Sequence, residues 1–368
     1  MIAFVSPLSG KPLHSDSPHS LADGAGERWP VIDSIPYLRA GSEDLAAQAL
    51  AFLDCGDMAG ALVLLLAEND RWWNEPPPPN AQLRRLVANR DTLTLRDAMA
   101  LLGWGRVGDY FAHRWSDPTY VAGLALLDAH WSAPRAAFEL ACGIGHYLRA
   151  LGQAGVRAIG ADLVFAKLWV ARHWVAPEAE LVCFDAERPW PVRLRADLAF
   201  CHDAFYFLED KAFVAERLRE VGKVIALAHV HNADHPNLSG GRGMTLAEIT
   251  ALFPDAILYA DEELTSCGAS GRRPEPLLTA KTEAFAIATG APAETPGPLG
   301  TPALGAALQR NPLCVAGAPQ WPSARYAEEY GPRVTYACRT DLPERTTMAS
   351  EWIEAVRRRE LLDLPERW

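Results

Sequence analysis

The feature that most constrains this fold is an alternation of two sequence patterns between residues 135 and 231. Short apolar runs, typical of strands buried on both faces, alternate with segments whose apolar residues recur at helical spacing. This alternation predicts an α/β fold, a doubly wound Rossmann-like parallel sheet with helices on both faces. Two later apolar pieces are expected to close the sheet, DAILYA and AFAIATG.

The rest of the chain is predicted to surround this sheet. Hydrophobic residues make up 49% of the 368 residues, which is enough for a large core. Residues 1–41 have the pattern of short strands and turns, and residues 42–130 that of a helical cap or lid. The Rossmann-like domain is expected over residues 131–290. Residues 291–368 begin as a Pro/Gly/Ala-rich linker and continue as a C-terminal extension.

Charge, hydropathy and cysteine usage exclude several classes of protein. The net charge of −11 argues against a nucleic-acid partner, because phosphate binding needs a concentrated basic surface. No apolar stretch approaches the length of about 20 residues that a membrane span needs, and the N-terminus lacks the pattern of a signal peptide. The seven cysteines are odd in number, widely spread and never in a C-x-x-C pair. They predict a reducing compartment, the cytoplasm, and no disulfide framework.

A turn of small residues follows the first predicted strand. FELACGIGHYL places Glu139 directly before it, and the turn itself contains Ala141, Cys142, Gly143 and Gly145. A dinucleotide site would need glycine where Leu148 stands, and the Glu139 carboxylate would repel a diphosphate. S-adenosylmethionine (SAM) carries a sulfonium cation and no phosphate, so its site tolerates an acidic residue and needs only close backbone approach. The turn therefore favours SAM over NAD.

FELACGIGHYL resembles the first motif of class I SAM-dependent methyltransferases, with Ala141 where that family often has glycine. Asp162, followed by Leu163, ends the next apolar run about 20 residues further on, where an acidic residue can accept the ribose hydroxyls. The resemblance covers about residues 135–290, with four motifs in order. It implies that Asp185 lies near the adenine amino group, and that the ring is lined by Cys183, Phe184 and Ala186. For the region before the first strand, the resemblance implies that Tyr110 and Arg114 cover the methionine end of SAM.

The resemblance implies methyl transfer by in-line displacement to a small or medium-sized acceptor. We expect the helical N-terminal region and the C-terminal extension to form the acceptor pocket. A hydroxyl or ammonium acceptor would also need a proton acceptor, for which histidine is suited. His202 and Asp203 end the fourth strand, and His229 and His231 share one face of the fifth by its period of two. We expect the three histidines to face one cavity and at least one of them to act as general base or to orient the acceptor, with His202 favoured.

The N-terminal segment is also similar to a known module. SPLSGKPL and WPVIDSIPYLR resemble parts of a zinc-ribbon-like module that begins many bacterial methyltransferases, but residues 1–41 contain no cysteine. His14 and His19 alone cannot supply a tetrahedral zinc set. We therefore expect a metal-free remnant held by apolar packing. We likewise expect no tight metal site among the histidines of the sheet.

Two other functions stay open at this stage. An RNA-base methyltransferase is suggested by the zinc-ribbon-like segment, although the acidic pI, the missing metal ligands and the lack of an Asn-Pro-Pro-Tyr-type signature oppose it. A catalytically silent SAM-binding scaffold or partner subunit would use the helical region and the extension as interaction surfaces. The expected partner is a small-molecule or peptide acceptor, with neither nucleic acid nor membrane. A homodimer is left open.

Overall fold

The computed structural model describes residues 2–69, 73, 75–236, 240–279 and 281–368, and its centre is a seven-stranded sheet. In the described residues the strands are β1 (Ala3–Phe4), β2 (His14–Ser17), β3 (Ser20–Ala22), β4 (Arg28–Ile32), β5 (Ile35–Pro36), β6 (Ala136–Leu140), β7 (Arg157–Asp162), β8 (Glu180–Cys183), β9 (Val192–Arg193), β10 (Ala196–His202), β11 (Gly222–His231), β12 (Ile257–Ala260), β13 (Ala284–Ala288), β14 (Ala307–Arg310), β15 (Cys314–Val315), β16 (Ala318–Pro319), β17 (Arg345–Thr347) and β18 (Leu361–Leu362).

The α-helices cover the faces of this sheet and form most of the region before it. They are α1 (Glu43–Asp54), α2 (Met58–Leu66), α3 (Asn80–Asn89), α4 (Leu95–Leu101), α5 (Gly105–His113), α6 (Pro118–Ala129), α7 (His146–Gln153), α8 (Phe165–Val170), α9 (Lys211–Val221), α10 (Leu246–Leu252), α11 (Asp261–Ser270), α12 (Ala324–Tyr330) and α13 (Ile353–Arg357).

The central sheet has the strand order β12-β13-β11-β10-β6-β7-β8. The five strands from β6 to β11 in this sheet are parallel, and β13 lies antiparallel between β11 and β12. From β6 the chain adds β7 and β8 on one side, and it then returns to add β10 and β11 on the other side of β6. Open α/β sheets bind ligands at the carboxyl ends of the strands where the strand order changes direction in this way. The predicted fold class is confirmed, and DAILYA and AFAIATG supply β12 and β13 as expected.

The strands are apolar throughout because helices cover both faces of the sheet. Phe138 in β6, Ile159 in β7 and Phe200 in β10 are each fully buried. One apolar core runs through residues of all four predicted regions, from Ile2 to Leu362. The boundaries between those regions therefore remain a prediction.

The N-terminal segment packs against the open edge of this sheet. Strands β2 to β5 form a four-stranded antiparallel sheet, and β1 pairs with β9. Tyr37 bridges to Cys183 in β8, and the Leu38 N–H donates to the Cys183 carbonyl at 2.8 Å. Trp29 and Ile32 are buried in the common core. Apolar packing and this edge contact hold the segment in place.

The predicted linker after β13 is fixed to helix α6. The two carboxylate oxygens of Asp128 accept hydrogen bonds from the backbone N–H groups of Leu299 and Gly300, each at 2.8 Å. The extension then returns to the sheet domain, where Arg149 pairs with Asp363 at 2.8 Å. This part of the chain therefore differs from a flexible linker, because its backbone N–H groups find partners on the domain.

The cysteine prediction is wrong for one pair. Cys314 and Cys338, 24 residues apart, form a disulfide in the C-terminal extension. Their spacing fits no short motif, and the hairpin of β15 and β16 and the helix α12 lie between them. The unpaired cysteines are Cys55, Cys142, Cys183, Cys201 and Cys267. In the part of the chain that the structure describes, no helix is long and apolar enough to cross a bilayer.

We expect Phe138→Ala to lower the free energy of unfolding by about 3–5 kcal/mol, because it leaves a cavity at the centre of the sheet. The Phe138 ring lies in β6 with its centroid 5.6 Å from that of Trp190. Urea denaturation of both proteins measures the difference. Leu278→Ala is the control, since Leu278 is 90% exposed and the change should stay within about 0.5 kcal/mol. Equal losses in the two variants would contradict the assignment of Phe138 to the core.

Candidate functional site

The turn between β6 and α7 has a backbone that L-residues with side chains rarely adopt. Ala141, Gly143 and Gly145 have φ angles of 55°, 55° and 85°. Glycine adopts such angles freely, whereas Ala141 is held there against its preference. A Cβ atom on Gly143 would come within 3.1 Å of the Phe111 ring. The small residues therefore let the backbone lie close to whatever occupies the space above it.

A cavity of about 790 Å³ lies at the carboxyl ends of the central strands, over this turn. Ten of the predicted cofactor-binding residues line it: Tyr110, Arg114, Glu139, Ala141, Cys142, Gly143, Asp162, Leu163, Asp185 and Ala186. Phe184 lines it too, whereas Gly145 and Cys183 do not. Gly145 begins α7 and packs against Ala171 and Ala176, where a Cβ atom would lie 3.3 Å from each of their Cβ atoms. Most of the residues that the sequence predicts to bind the cofactor therefore lie on the wall of one cavity.

Glu139 is a buried carboxylate that faces the cavity. It is 3% exposed, and its Oε2 atom has no hydrogen-bond partner among the described residues. Burial, and then the neighbouring Asp162 carboxylate, raise the pKa of Glu139 well above its ordinary value. An unpaired acidic group of this kind fits a cationic ligand, and both the sulfonium and the amino group of SAM are cationic. The site therefore fits the cofactor that the turn predicts.

Asp162 fixes the shape of the turn from the neighbouring strand. Its Oδ2 accepts a hydrogen bond from the Gly143 N–H at 2.9 Å, and its Oδ1 accepts one from the Val164 N–H at 2.9 Å. Asp185, after β8, accepts the Glu187 N–H at 2.9 Å and so closes a tight turn of its own. Each carboxylate retains further lone pairs toward the cavity.

Arg114 is the centre of a buried polar network on the opposite wall. One Nη atom donates to the Thr119 hydroxyl at 2.6 Å, and the other lies 2.7 Å from His202 Nδ1 and 3.2 Å from an Asp203 carboxylate oxygen. The Tyr110 hydroxyl donates to the same Asp203 oxygen at 2.8 Å. Burial would raise the pKa of Asp203, but His229 and Arg114 hold that pKa well below its usual range. Asp203 is therefore a fixed anion at the cavity wall.

His202 is placed differently from a general base. Its Nδ1 accepts a hydrogen bond from Arg114, so its Nε2 carries the proton, which it donates to the Thr119 carbonyl at 2.9 Å. Burial, and then Arg114, lower the pKa of His202 well below its ordinary value. Neither ring nitrogen is free to take a proton from an acceptor. The geometry therefore gives no support to His202 as the base, and its role here is to orient Arg114.

His229 and His231 lie behind Asp203 and do not line the cavity, which corrects the expectation that they face it together with His202. The pairing of β11 with β13 shifts register between Leu227 and Val230, and His229 has a φ of 54°. This bulge breaks the period of two on which that expectation rested. The two imidazole ring centroids are nevertheless 4.9 Å apart.

Several residues that line the cavity carry no sequence signal for it: Trp104, His146, Lys167, Tyr206, Tyr326 and Tyr330. Tyr326 and Tyr330 lie on α12 in the C-terminal extension, and the Tyr326 hydroxyl donates to the buried Asp117 carboxylate. The extension is rich in aromatic residues, which could have suggested a binding surface, but nothing in its pattern places it over the sheet.

Comparison with known proteins gives the class of the enzyme. Residues 138–225, from β6 into β11, match the family model described as a methyltransferase domain. The sheet, the turn and the cavity with its buried Glu139 carboxyl group agree with that match. The chain therefore contains a methyltransferase domain, and the site fits SAM as its cofactor. No curated protein matches the chain.

Three of the solved structures that are similar to part of this chain are described as methyltransferases. A SAM-dependent methyltransferase from Clostridium acetobutylicum has 11% identity and a TM-score of 0.38, covering 52% of this chain and 98% of its own. The CcbJ methyltransferase from Streptomyces caelestis has 14% identity and a TM-score of 0.37, covering 48% and 96%. A TehB-like SAM-dependent methyltransferase from Corynebacterium glutamicum has 16% identity and a TM-score of 0.35, covering 47% and 88%. The assignment rests on the domain match and the site, and not on these distant similarities.

We expect Asp162→Ala to weaken SAM binding by about 1.5–3 kcal/mol, the usual scale for hydrogen bonds to a charged group. Titration calorimetry with SAM measures the change, and circular dichroism checks that the variant is folded. Asp44→Ala, at an exposed position in the first turn of α1, is the control and should bind as the unmodified protein does. Unchanged affinity in a folded Asp162→Ala variant would contradict the ribose role. NADH binding to the unmodified protein would contradict the choice of cofactor.

Proposed function

We propose that the enzyme transfers the methyl group to a small or medium-sized acceptor held between the sheet and the C-terminal extension. The observation that carries this proposal is the continuity of the cavity. The same space that touches Glu139 and Asp162 also touches Asp203 and the tyrosines Tyr326 and Tyr330. A volume of about 790 Å³ lies in the range of small-ligand sites.

S-adenosylmethionine supplies a methyl group that its sulfonium already activates. The protein residues then have to hold the acceptor in line with that group and exclude water. Asp203 is suited to the first task, because its carboxylate is fixed by Tyr110, Tyr206 and Arg114 and can accept a hydrogen bond from an acceptor N–H or O–H. The aromatic side chains of α12, Tyr326 and Tyr330, are suited to the exclusion of water from the cavity.

We propose that no histidine removes a proton from the acceptor directly. Both ring nitrogens of His202 are engaged, and His229 and His231 lie outside the cavity lining. Asp203, held as an anion, is a weak base. Alignment of the acceptor by Asp203 is therefore the main contribution of this wall of the cavity. A methyl acceptor that is a thiolate, a carboxylate or a neutral amine would need no further base.

Other features of the protein remain proposals. We propose a small-molecule or peptide acceptor, and the net charge of −11 supports the exclusion of nucleic acid. Five unpaired cysteines support a cytoplasmic location, against which the single disulfide stands. The likeness of residues 1–41 to a zinc-ribbon-like module rests on sequence alone, and a homodimer remains an untested alternative.

We expect Asp203→Asn to lower turnover by about 10²-fold, the effect of a misaligned reactant, while SAM affinity stays within about twofold. The assay incubates the purified protein with deuterium-labelled SAM and small-molecule extracts, identifies the labelled product by mass spectrometry and then measures kcat. Asp255→Asn, at an exposed aspartate before β12, is the matched control.

Full turnover in the Asp203→Asn variant would contradict the alignment role. A protein that binds SAM but labels no small molecule or peptide would contradict the proposed acceptor class. That second result would favour the silent scaffold.

A further inference from the structure

Three side chains behind the cavity wall form a cluster of metal-ligating type. Asp203 follows β10, and His229 and His231 end β11. One ligand atom from each lies within 4.8 Å of the other two, and no other such group of three occurs in the described parts of the chain. His229 and His231 are buried, at 5% and 4% exposure. The parallel pairing of β10 with β11 brings the three together.

His231 is the member that the rest of the molecule does not explain. Neither of its ring nitrogens has a hydrogen-bond partner in the described structure, although the side chain is buried. A buried polar group without a partner is destabilising, and native proteins rarely leave one unsatisfied. Its ring packs against that of Tyr206, with centroids 4.2 Å apart. A ligand for an imidazole lone pair would remove this cost.

His229 is held as metal-binding histidines commonly are. Its Nε2 lies 3.9 Å from Asp203, while its Nδ1 lies 3.1 Å from the buried carboxylate of Asp261. Among the described residues, neither this nitrogen nor the Asp261 oxygens make a well-directed hydrogen bond. A rotation of the ring would let the carboxylate accept the Nδ1 proton, which fixes the tautomer and directs Nε2 toward an ion. Arg333, 3.7 Å from Asp261 and 3.1 Å from Glu283, supports that carboxylate in turn.

The backbone at His229 supports the same conclusion. A φ of 54° is uncommon for a residue other than glycine, and it coincides with the bulge in β11. Such strain persists where the surrounding structure requires it, often beside functional sites. Here the rings of His229 and His231 lie with their centroids 4.9 Å apart, next to Asp203.

Asp203 accepts one hydrogen bond on each carboxylate oxygen, so each oxygen retains a lone-pair position, one for the acceptor and one for an ion. A carboxylate offers about four lone-pair positions. Tyr110 and Arg114 approach Oδ2, and Tyr206 donates to Oδ1 at 2.8 Å. The remaining position of Oδ1 lies on the side of His229. The neighbouring Arg114 cation would repel a metal ion at this position. The Asp261 carboxylate, on the other side of His229, offsets that repulsion.

We propose that Asp203, His229 and His231 bind one divalent transition-metal ion of the zinc type. Two imidazoles and one carboxylate suit zinc and its neighbours, whereas magnesium and calcium prefer oxygen ligands. Ligand bonds of about 2.1 Å in tetrahedral geometry place the ligand atoms about 3.4 Å apart, so ligand atoms that now lie up to 4.8 Å apart must approach one another by as much as about 1.4 Å. The ion would tie the ends of β10 and β11 together directly behind the acceptor wall. This revises the expectation, drawn from sequence, that the histidines bind no metal.

The test is metal binding by the full chain, independent of activity. Untagged protein carrying Cys55→Ser, which removes the exposed thiol, is stripped with chelator and dialysed against zinc sulfate. We expect one zinc per chain by elemental analysis. Titration against a chromogenic chelator should show that His231→Ala weakens binding by at least about 100-fold and Asp261→Asn by about 10- to 100-fold. Cobalt substitution should give a visible absorption band that Asp261→Asn shifts.

The matched control is His235→Ala, at an exposed histidine four positions further on whose Nδ1 lies 2.8 Å from the Pro236 carbonyl. It should leave zinc affinity unchanged. His231→Gln replaces His231→Ala if the smaller side chain prevents folding, and SAM titration checks that each variant is intact. A parent protein that retains no stoichiometric zinc, or a folded His231 variant with full affinity, would overturn the proposal. Neither outcome depends on whether the acceptor is known.

Discussion

The buried charge of Arg114 is the constraint on which the arrangement around the cavity depends. This guanidinium is 3% exposed, and it joins the end of α5 to the end of β10 through Asp203 and to α6 through Thr119. A buried charge that loses its partner costs about 3–5 kcal/mol, so these elements are held in one relative position. Asp117, 3.8 Å from Arg114, extends the network to Tyr326 and thereby to the C-terminal extension. One charge thus links three parts of the chain that are far apart in sequence.

The cofactor half of the cavity depends on local backbone geometry instead. The turn after β6 needs left-handed residues, and Asp162 on β7 accepts the Gly143 N–H that this turn presents. Strand pairing between β6 and β7 fixes the distance between the two, so the carboxylate and the turn form a unit. Glu139 contributes a buried carboxyl group whose Oε2 has no hydrogen-bond partner among the described residues, and such a group suits a cationic ligand and disfavours a diphosphate.

The two halves differ in how far they could be predicted. The residues of the cofactor half lie within a few positions of a strand end, and strand ends follow from apolar patterning. Glu139, Asp162 and Asp185 line the cavity. The histidines were predicted from the ideal period of a strand, and the bulge at His229 removed the basis of that prediction. His202 was predicted from its position at a strand end, which carries no information about Arg114 as a partner.

By itself, the sequence determined the order of strands and helices, the parallel sheet and the turn that receives the cofactor. These features are local, because they depend on the spacing of apolar residues and on which residues tolerate a left-handed backbone. Only the tertiary structure decided which distant segments meet. It brought α12 over the cavity, joined Cys314 to Cys338, and assembled Asp203, His229 and His231 behind the wall. Such contacts depend on packing and buried charge, which act between residues whose separation in sequence carries no periodic signal.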